Sequence, residues 1–136
     1  MNQAEKRLFL LRELLNEQSR YKDISIPEDA DEQKRLLRGL CNVREPGPVS
    51  SDFLTVQDEY LQEETARKGI TDLADLSPLK DGLYVWQGDI TTLRCDAIVN
   101  AANSGLTGCY LPCHGCIDNT ILHTVTQPIT GIMASC

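Results

Sequence analysis

Between Gly108 and Asn119 the chain reads Gly-Cys-Tyr-Leu-Pro-Cys-His-Gly-Cys-Ile-Asp-Asn, so Cys109, His114 and Cys116 form a C-x4-H-x-C cluster with Asp118 two residues further on. Thiolate and neutral imidazole are the donors that borderline-soft Zn²⁺ prefers. Three such donors with no obvious fourth point to a catalytic site, because structural zinc normally closes with four protein ligands. Asp118 adds a carboxylate able to take a proton from a water or a hydroxyl. The competing reading is packing, since free cysteine is commonly a small buried hydrophobe; the density of donors favours a metal. Cys113 either closes a fourth position or faces the core, and we take it as a bystander. Asp118 has a rival reading as a helix N-cap. Cys41 and Cys95 stand apart and carry no assigned chemistry, and spacing gives no ligand role to His123 or Cys136.

These residues need a scaffold, and the front of the chain supplies a helical pattern. Leu8, Leu11 and Leu15, with Leu14 beside them, recur at helical spacing among charged residues, which predicts an amphipathic helix over roughly residues 3–18. Pro27 opens a second helix with Asp29 or Asp31 as N-cap and Leu36, Leu37 and Leu40 as its stripe. Pro46-Gly47-Pro48 is a rigid break. Ser51 or Asp52 caps a third helix whose buried face is Phe53, Val56, Tyr60 and Leu61, ending at Gly69. Glu63 and Glu64 are expected on its solvated surface.

After Pro78 the period changes. Leu83-Tyr84-Val85-Trp86 is aromatic and β-branched, and Asp96-Ala-Ile-Val-Asn100 is a short apolar run suited to a strand buried on both faces of a parallel sheet. Residues 100–108 then form the loop at that strand's carboxyl edge, where open α/β sheets bind ligands. Asn103 within it has a plainer use as a turn residue.

Charge and cysteine divide the chain in the same place. Residues 1–80 hold 16 of the 20 acidic and 12 of the 13 basic residues, whereas residues 81–136 hold five of the six cysteines. Two units follow, 1–77 and 78–136. The net charge of −7 argues against partners bound through phosphate neutralisation, so neither nucleic acid nor an anionic membrane surface is expected. With no apolar run long enough for a signal or a span, the expectation is a cytoplasmic monomer whose cysteines are reduced thiols or metal ligands.

Gly88-Asp-Ile-Thr91, then Asp96-Ala-Ile-Val-Asn-Ala-Ala-Asn103, resembles the opening of a macrodomain, the α/β fold that binds ADP-ribose. The Cys109–Cys116 cluster, standing where ordinary macrodomains carry glycines, resembles the zinc-dependent macrodomains, microbial protein-ADP-ribose hydrolases with a helical N-terminal extension. The resemblance runs from Met1 to about Ile121. It implies a three-layer α/β/α domain over 78–136 behind a helical extension over 1–77, with zinc as cofactor and ADP-ribosylated protein and ADP-ribose as partners. Asp89 then matches the acceptor of the adenine amino group, with the Ile90 backbone beside it. Asn103 matches the amide on the distal ribose, Cys109, His114 and Cys116 match the zinc ligands, and Asp118 matches the catalytic carboxylate.

Beyond Ile121 the sequence departs from that pattern. An extra residue precedes His123, and Pro128 and Gly131 disrupt the helix expected there. The resemblance therefore implies an incomplete macrodomain, without the later glycine-rich loop around the diphosphate, and an activity put at risk by the truncation. Two other functions stay open: a module that holds ADP-ribose without turnover, and a helical interaction piece attached to a degenerate remnant.

Overall fold

Asn2 starts the first helix. Its side chain accepts from the Glu5 amide at 2.9 Å while its own amide donates to the Glu5 carboxylate at 2.8 Å, a reciprocal cap that satisfies two donors left over at a helix start. In the computed structural model, which describes residues 1–45, 47–105 and 108–124, helix α1 runs Gln3–Glu17, α2 Ala30–Asn42 and α3 Ser51–Lys68. Asp29 caps α2 by accepting from the Asp31 and Glu32 amides. Ser50, one residue before the expected cap, accepts from the Phe53 amide of α3 at 3.1 Å. Gly69 ends α3 at φ +87°, a left-handed conformation that favours glycine.

The three helices bury a single apolar cluster of Leu10, Leu11, Leu14, Leu15, Leu37, Leu40, Phe53, Val56 and Tyr60. Each fully buried leucine contributes roughly 2 kcal/mol from area alone. The α1 stripe is centred on Leu10, Leu11, Leu14 and Leu15, with Leu8 half-buried at its edge. α3 buries Phe53, Val56 and Tyr60 as expected, with Leu61 partly buried. Of its acidic pair, Glu63 is exposed as expected, whereas Glu64 is half-buried. Glu64 accepts from Gln3 at 3.1 Å and Arg67 at 2.8 Å, and Glu63 pairs with the buried Lys6 at 3.5 Å.

Behind the helices the chain forms short strands. β1 (Thr71–Asp72) pairs in parallel with β4 (Leu93–Arg94), and β2 (Pro78–Lys80) pairs antiparallel with β3 (Leu83–Tyr84) around a turn with Gly82 at φ +75°. A 3₁₀ turn, Ile90–Thr92, leads into β4, and α4 spans Ile117–Thr124. The class is thus mixed helix and small sheets.

The strand expected over residues 96–100 does not form. A strand buried on both faces needs neighbours along its edges and cover above and below. Among the described residues none pairs with this segment, and Val99 is left 87% exposed. α4 instead docks on α2, burying Ile121, and the Ile90–Thr92 turn lies against both α3 and α4. Among the described residues no helix is long and apolar enough to cross a membrane. The expected break at Pro46, the loop positions Leu106 and Thr107, the tail with Pro128, Gly131 and Cys136, and the side chain of His123 lie outside the described residues.

Candidate metal centre

The loop from Gly108 to Cys116 is built from tight local turns. Gly108 enters it at φ +82°, and the His114 amide donates back to the Leu111 carbonyl at 3.2 Å. These turns bring one sulfur or nitrogen from each of Cys109, His114 and Cys116 to within 4.8 Å of one another. The Cys109 Sγ to His114 Nδ1 separation is 3.6 Å. Around a tetrahedral zinc with ordinary Zn–S and Zn–N bonds, a sulfur and a nitrogen ligand stand about 3.5 Å apart. That pair stands at ligand spacing, and the three residues together could hold a metal ion. Cys113 stands outside it. Its backbone lies at φ +56°, a sparsely populated region for a residue with a side chain, and its thiol donates to the Arg35 carbonyl of α2 at 3.4 Å.

Cys116 occupies the position just before α4, where its sulfur does the work of a cap. The Asn119 amide donates to Cys116 Sγ at 3.4 Å, and the Thr120 amide donates to the Cys116 carbonyl at 3.1 Å. The Asn119 amide, with smaller help from His114 and Cys109, holds the Cys116 thiol below its ordinary range against the opposing effect of desolvation. That favours the thiolate, which is the form that binds metal.

Asp118 sits in the first turn of α4, inside the helix rather than at its cap, and is 5% exposed. Its Oδ1 accepts from Asn100 Nδ2 at 2.8 Å, so the residue that ends the apolar run reaches the carboxylate. The oxygen of that amide, Asn100 Oδ1, is buried with no hydrogen-bond partner among the described residues. Asn103 is exposed and ties its own loop together, donating to the Gly108 carbonyl at 2.7 Å and accepting from the Gly105 amide at 3.1 Å. It thereby fixes the residue that precedes Cys109.

Asp89 lies outside the cluster, at the start of the Ile90–Thr92 turn that abuts α4. Its Oδ1 accepts from the Thr91 amide at 3.0 Å and the Thr91 hydroxyl at 2.7 Å, and its Oδ2 from Lys68 at 2.9 Å. Partial burial would raise its pKa, but Thr91 and Lys68 outweigh that and lower it to about 2. Ile90 lines a cavity of about 240 Å³ together with Asp96, Ala97 and Ile98. A larger cavity, about 440 Å³, opens between α2 and α3 beside Lys34, Arg38 and Phe53, but contains none of the three candidate ligands.

Sequence reasoning missed the residues that hold the loop against the helices. Asn119 is fully buried; its Oδ1 accepts from Arg38 Nε at 3.2 Å and Nη2 at 2.9 Å, and its Nδ2 donates to the Leu111 carbonyl at 3.0 Å. Arg38 Nη2 also donates to the His114 carbonyl at 2.9 Å. Asn42 donates to the Asn119 carbonyl and accepts from the Cys113 amide, each at 3.3 Å. The available signal was the placement of Arg35, Arg38, Gly39 and Asn42 at helical spacing, a face of α2 with no apolar partner to explain it.

No family model matches the chain. It is 58% identical over 128 residues, 91% of its length, to a protein of Treponema medium named protein-ADP-ribose hydrolase, of which it covers 49%. It is 47% identical over 117 residues, 85% of its length, to a protein of the same name from Staphylococcus aureus strain MRSA252, covering 43% of that protein. A protein of Fusarium oxysporum f. sp. cubense, named probable bifunctional ADP-ribose hydrolase/ADP-ribosyltransferase, is 41% identical over 104 residues, 68% of this chain and 17% of the relative. The chain thus spans about half the length of the first two relatives.

Proposed function

We propose that this chain carries the metal loop and catalytic carboxylate of a zinc-dependent macrodomain that hydrolyses ADP-ribose from modified proteins. The observation that carries the reading is the convergence of donor atoms from Cys109, His114 and Cys116 to within 4.8 Å of one another, just ahead of the buried Asp118. The similarity to proteins named protein-ADP-ribose hydrolase supplies the substrate class. The cluster's thiolates require a compartment that keeps them reduced, so the protein acts in the cytoplasm.

Cys109, His114 and Cys116 would hold the zinc ion. A bound zinc ion supplies Lewis acidity, drawing electron density from a ribose or phosphate oxygen. The reaction adds water across the bond that joins ADP-ribose to an acidic side chain of the modified protein. Asp118, held by Asn100, accepts the proton released by the attacking water, and the bond to the protein's carboxylate oxygen breaks. Asn103 exchanges its bond to the Gly108 carbonyl for one to the distal ribose, which orients the reacting carbon. Asp89 and the Ile90 backbone, beside the smaller cavity, receive the adenine amino edge.

The test is release of ADP-ribose from a protein modified on acidic residues, followed by mass spectrometry with and without a zinc chelator. Release that the chelator abolishes, and that Asp118→Ala or Asn103→Ala lowers at least tenfold, is the expected outcome. Release indifferent to the chelator removes zinc from the mechanism, and tight ADP-ribose binding without release makes the chain a reader.

A further inference from the structure

We propose that Arg38 of α2 is a positioning residue of the metal loop, which makes the helical unit part of the metal centre. This rests on the zinc reading of Cys109, His114 and Cys116. Arg38 reaches two of the three ligands through one bond or one intermediary. Its Nη2 donates directly to the carbonyl of His114 at 2.9 Å. Its Nε and Nη2 both donate to the Asn119 side chain, and the Asn119 amide donates to Cys116 Sγ. The same Asn119 side chain holds the Leu111 carbonyl, in the turn that leads from Cys109 to His114. Asn42, one helical turn along the same face of α2, fixes the Cys113 amide between the ligands.

The chemistry of the guanidinium explains why an arginine stands here. Ordering a long side chain costs rotamer entropy. A planar fork with fixed donors recovers more bonds per degree of freedom lost than an ammonium does. Three hydrogen bonds from one group, to the His114 carbonyl in the loop and the Asn119 side chain in α4, hold the backbone of the imidazole ligand in register with the residue whose amide donates to the Cys116 sulfur. Groups that orient ligands in this way typically change metal affinity 10–100-fold when removed. By linkage, zinc that tightens the loop must also tighten the docking of α4 on α2.

The experiment measures zinc affinity of the full chain by competition with a chromogenic chelator, and the absorption spectrum of the cobalt-substituted protein. Wild type, Arg38→Gln and a distant control, Arg20→Gln, are compared, with far-UV circular dichroism confirming helix content. Expected are one metal per wild-type chain, unchanged affinity in Arg20→Gln, and affinity at least tenfold weaker in Arg38→Gln with altered thiolate-to-cobalt bands. If Arg38→Gln loses its helices, Arg38→Lys carries the test, with at least fivefold weakening expected. Wild-type affinity and an unchanged cobalt spectrum in the folded Arg38 variant overturn the proposal. A wild-type chain that binds no metal overturns the zinc reading itself and this proposal with it.

Discussion

Asn100 donates a 2.8 Å hydrogen bond to the carboxylate of Asp118, joining the end of an unpaired segment to the first turn of α4. A carboxylate that is 5% exposed needs donors, because its hydration has been stripped away. Asn100→Ala removes that donor and leaves the charge poorly satisfied. We expect it to destabilise the protein by about 1–3 kcal/mol, measured by urea unfolding. Unchanged stability would show that Asp118 is solvated by another route.

Gly39 sits inside α2 facing the metal loop. A methyl group there would stand 3.7 Å from Cys113 Sγ and 3.8 Å from Pro112 Cβ, which is ordinary contact. With no clash to offset it, the helix-propensity gain should dominate. Gly39→Ala is expected to stabilise by about 0.5–1 kcal/mol, read as a rise in Tm. A fall in Tm would mean that the loop packs closer to α2 than these distances imply.

Thiol reactivity should separate Cys41 from Cys95, the two cysteines outside the loop among the described residues. Burial pushes the Cys41 thiol up to about 12, so at pH 8 it holds almost no thiolate, whereas Cys95 is exposed. Brief treatment of the native protein with iodoacetamide should label Cys95 and spare Cys41 until denaturant is added. Equal labelling of both in the native state would contradict the packing of Cys41 against the helical core.

The helical front was legible because its apolar period, caps and breaks all act locally. Gly69 could be placed as a boundary and Asp29 as one of two candidate caps, while the register of α1 shifted from Leu8 towards Leu10 and the α3 cap fell on Ser50, one residue before Ser51. The grouping of Cys109, His114 and Cys116 was legible for a similar reason, as the three side chains share one loop. The Asp96–Asn100 run misled because burial of a strand is decided by partners elsewhere in space, which an apolar run does not specify. Arg38 and Asn119 were invisible for the same reason. Eighty-one residues separate them, and each alone reads as an ordinary polar residue.

Asp89 offers a pH test with a defined sign. Its folded pKa of about 2 lies below the unfolded carboxylate value near 4. Its contribution is therefore fully present above about pH 4 and is lost as pH falls through about 2. The stability gap between wild type and Asp89→Asn should be constant near neutrality and close across that acid window. The side chain is 38% exposed, so solvent and salt screen the Lys68 pair and the gap should be small. A gap that closes near pH 6 instead would assign the pH dependence to another group.

Zinc K-edge X-ray absorption on the purified chain reaches the central claim most directly. Two sulfurs at about 2.3 Å and nitrogen or oxygen at about 2.0–2.1 Å completing four-fold coordination are expected, with one sulfur lost in Cys109→Ser and in Cys116→Ser but neither lost in Cys113→Ser. Absence of zinc, or a third sulfur that disappears with Cys113, would contradict an open catalytic site.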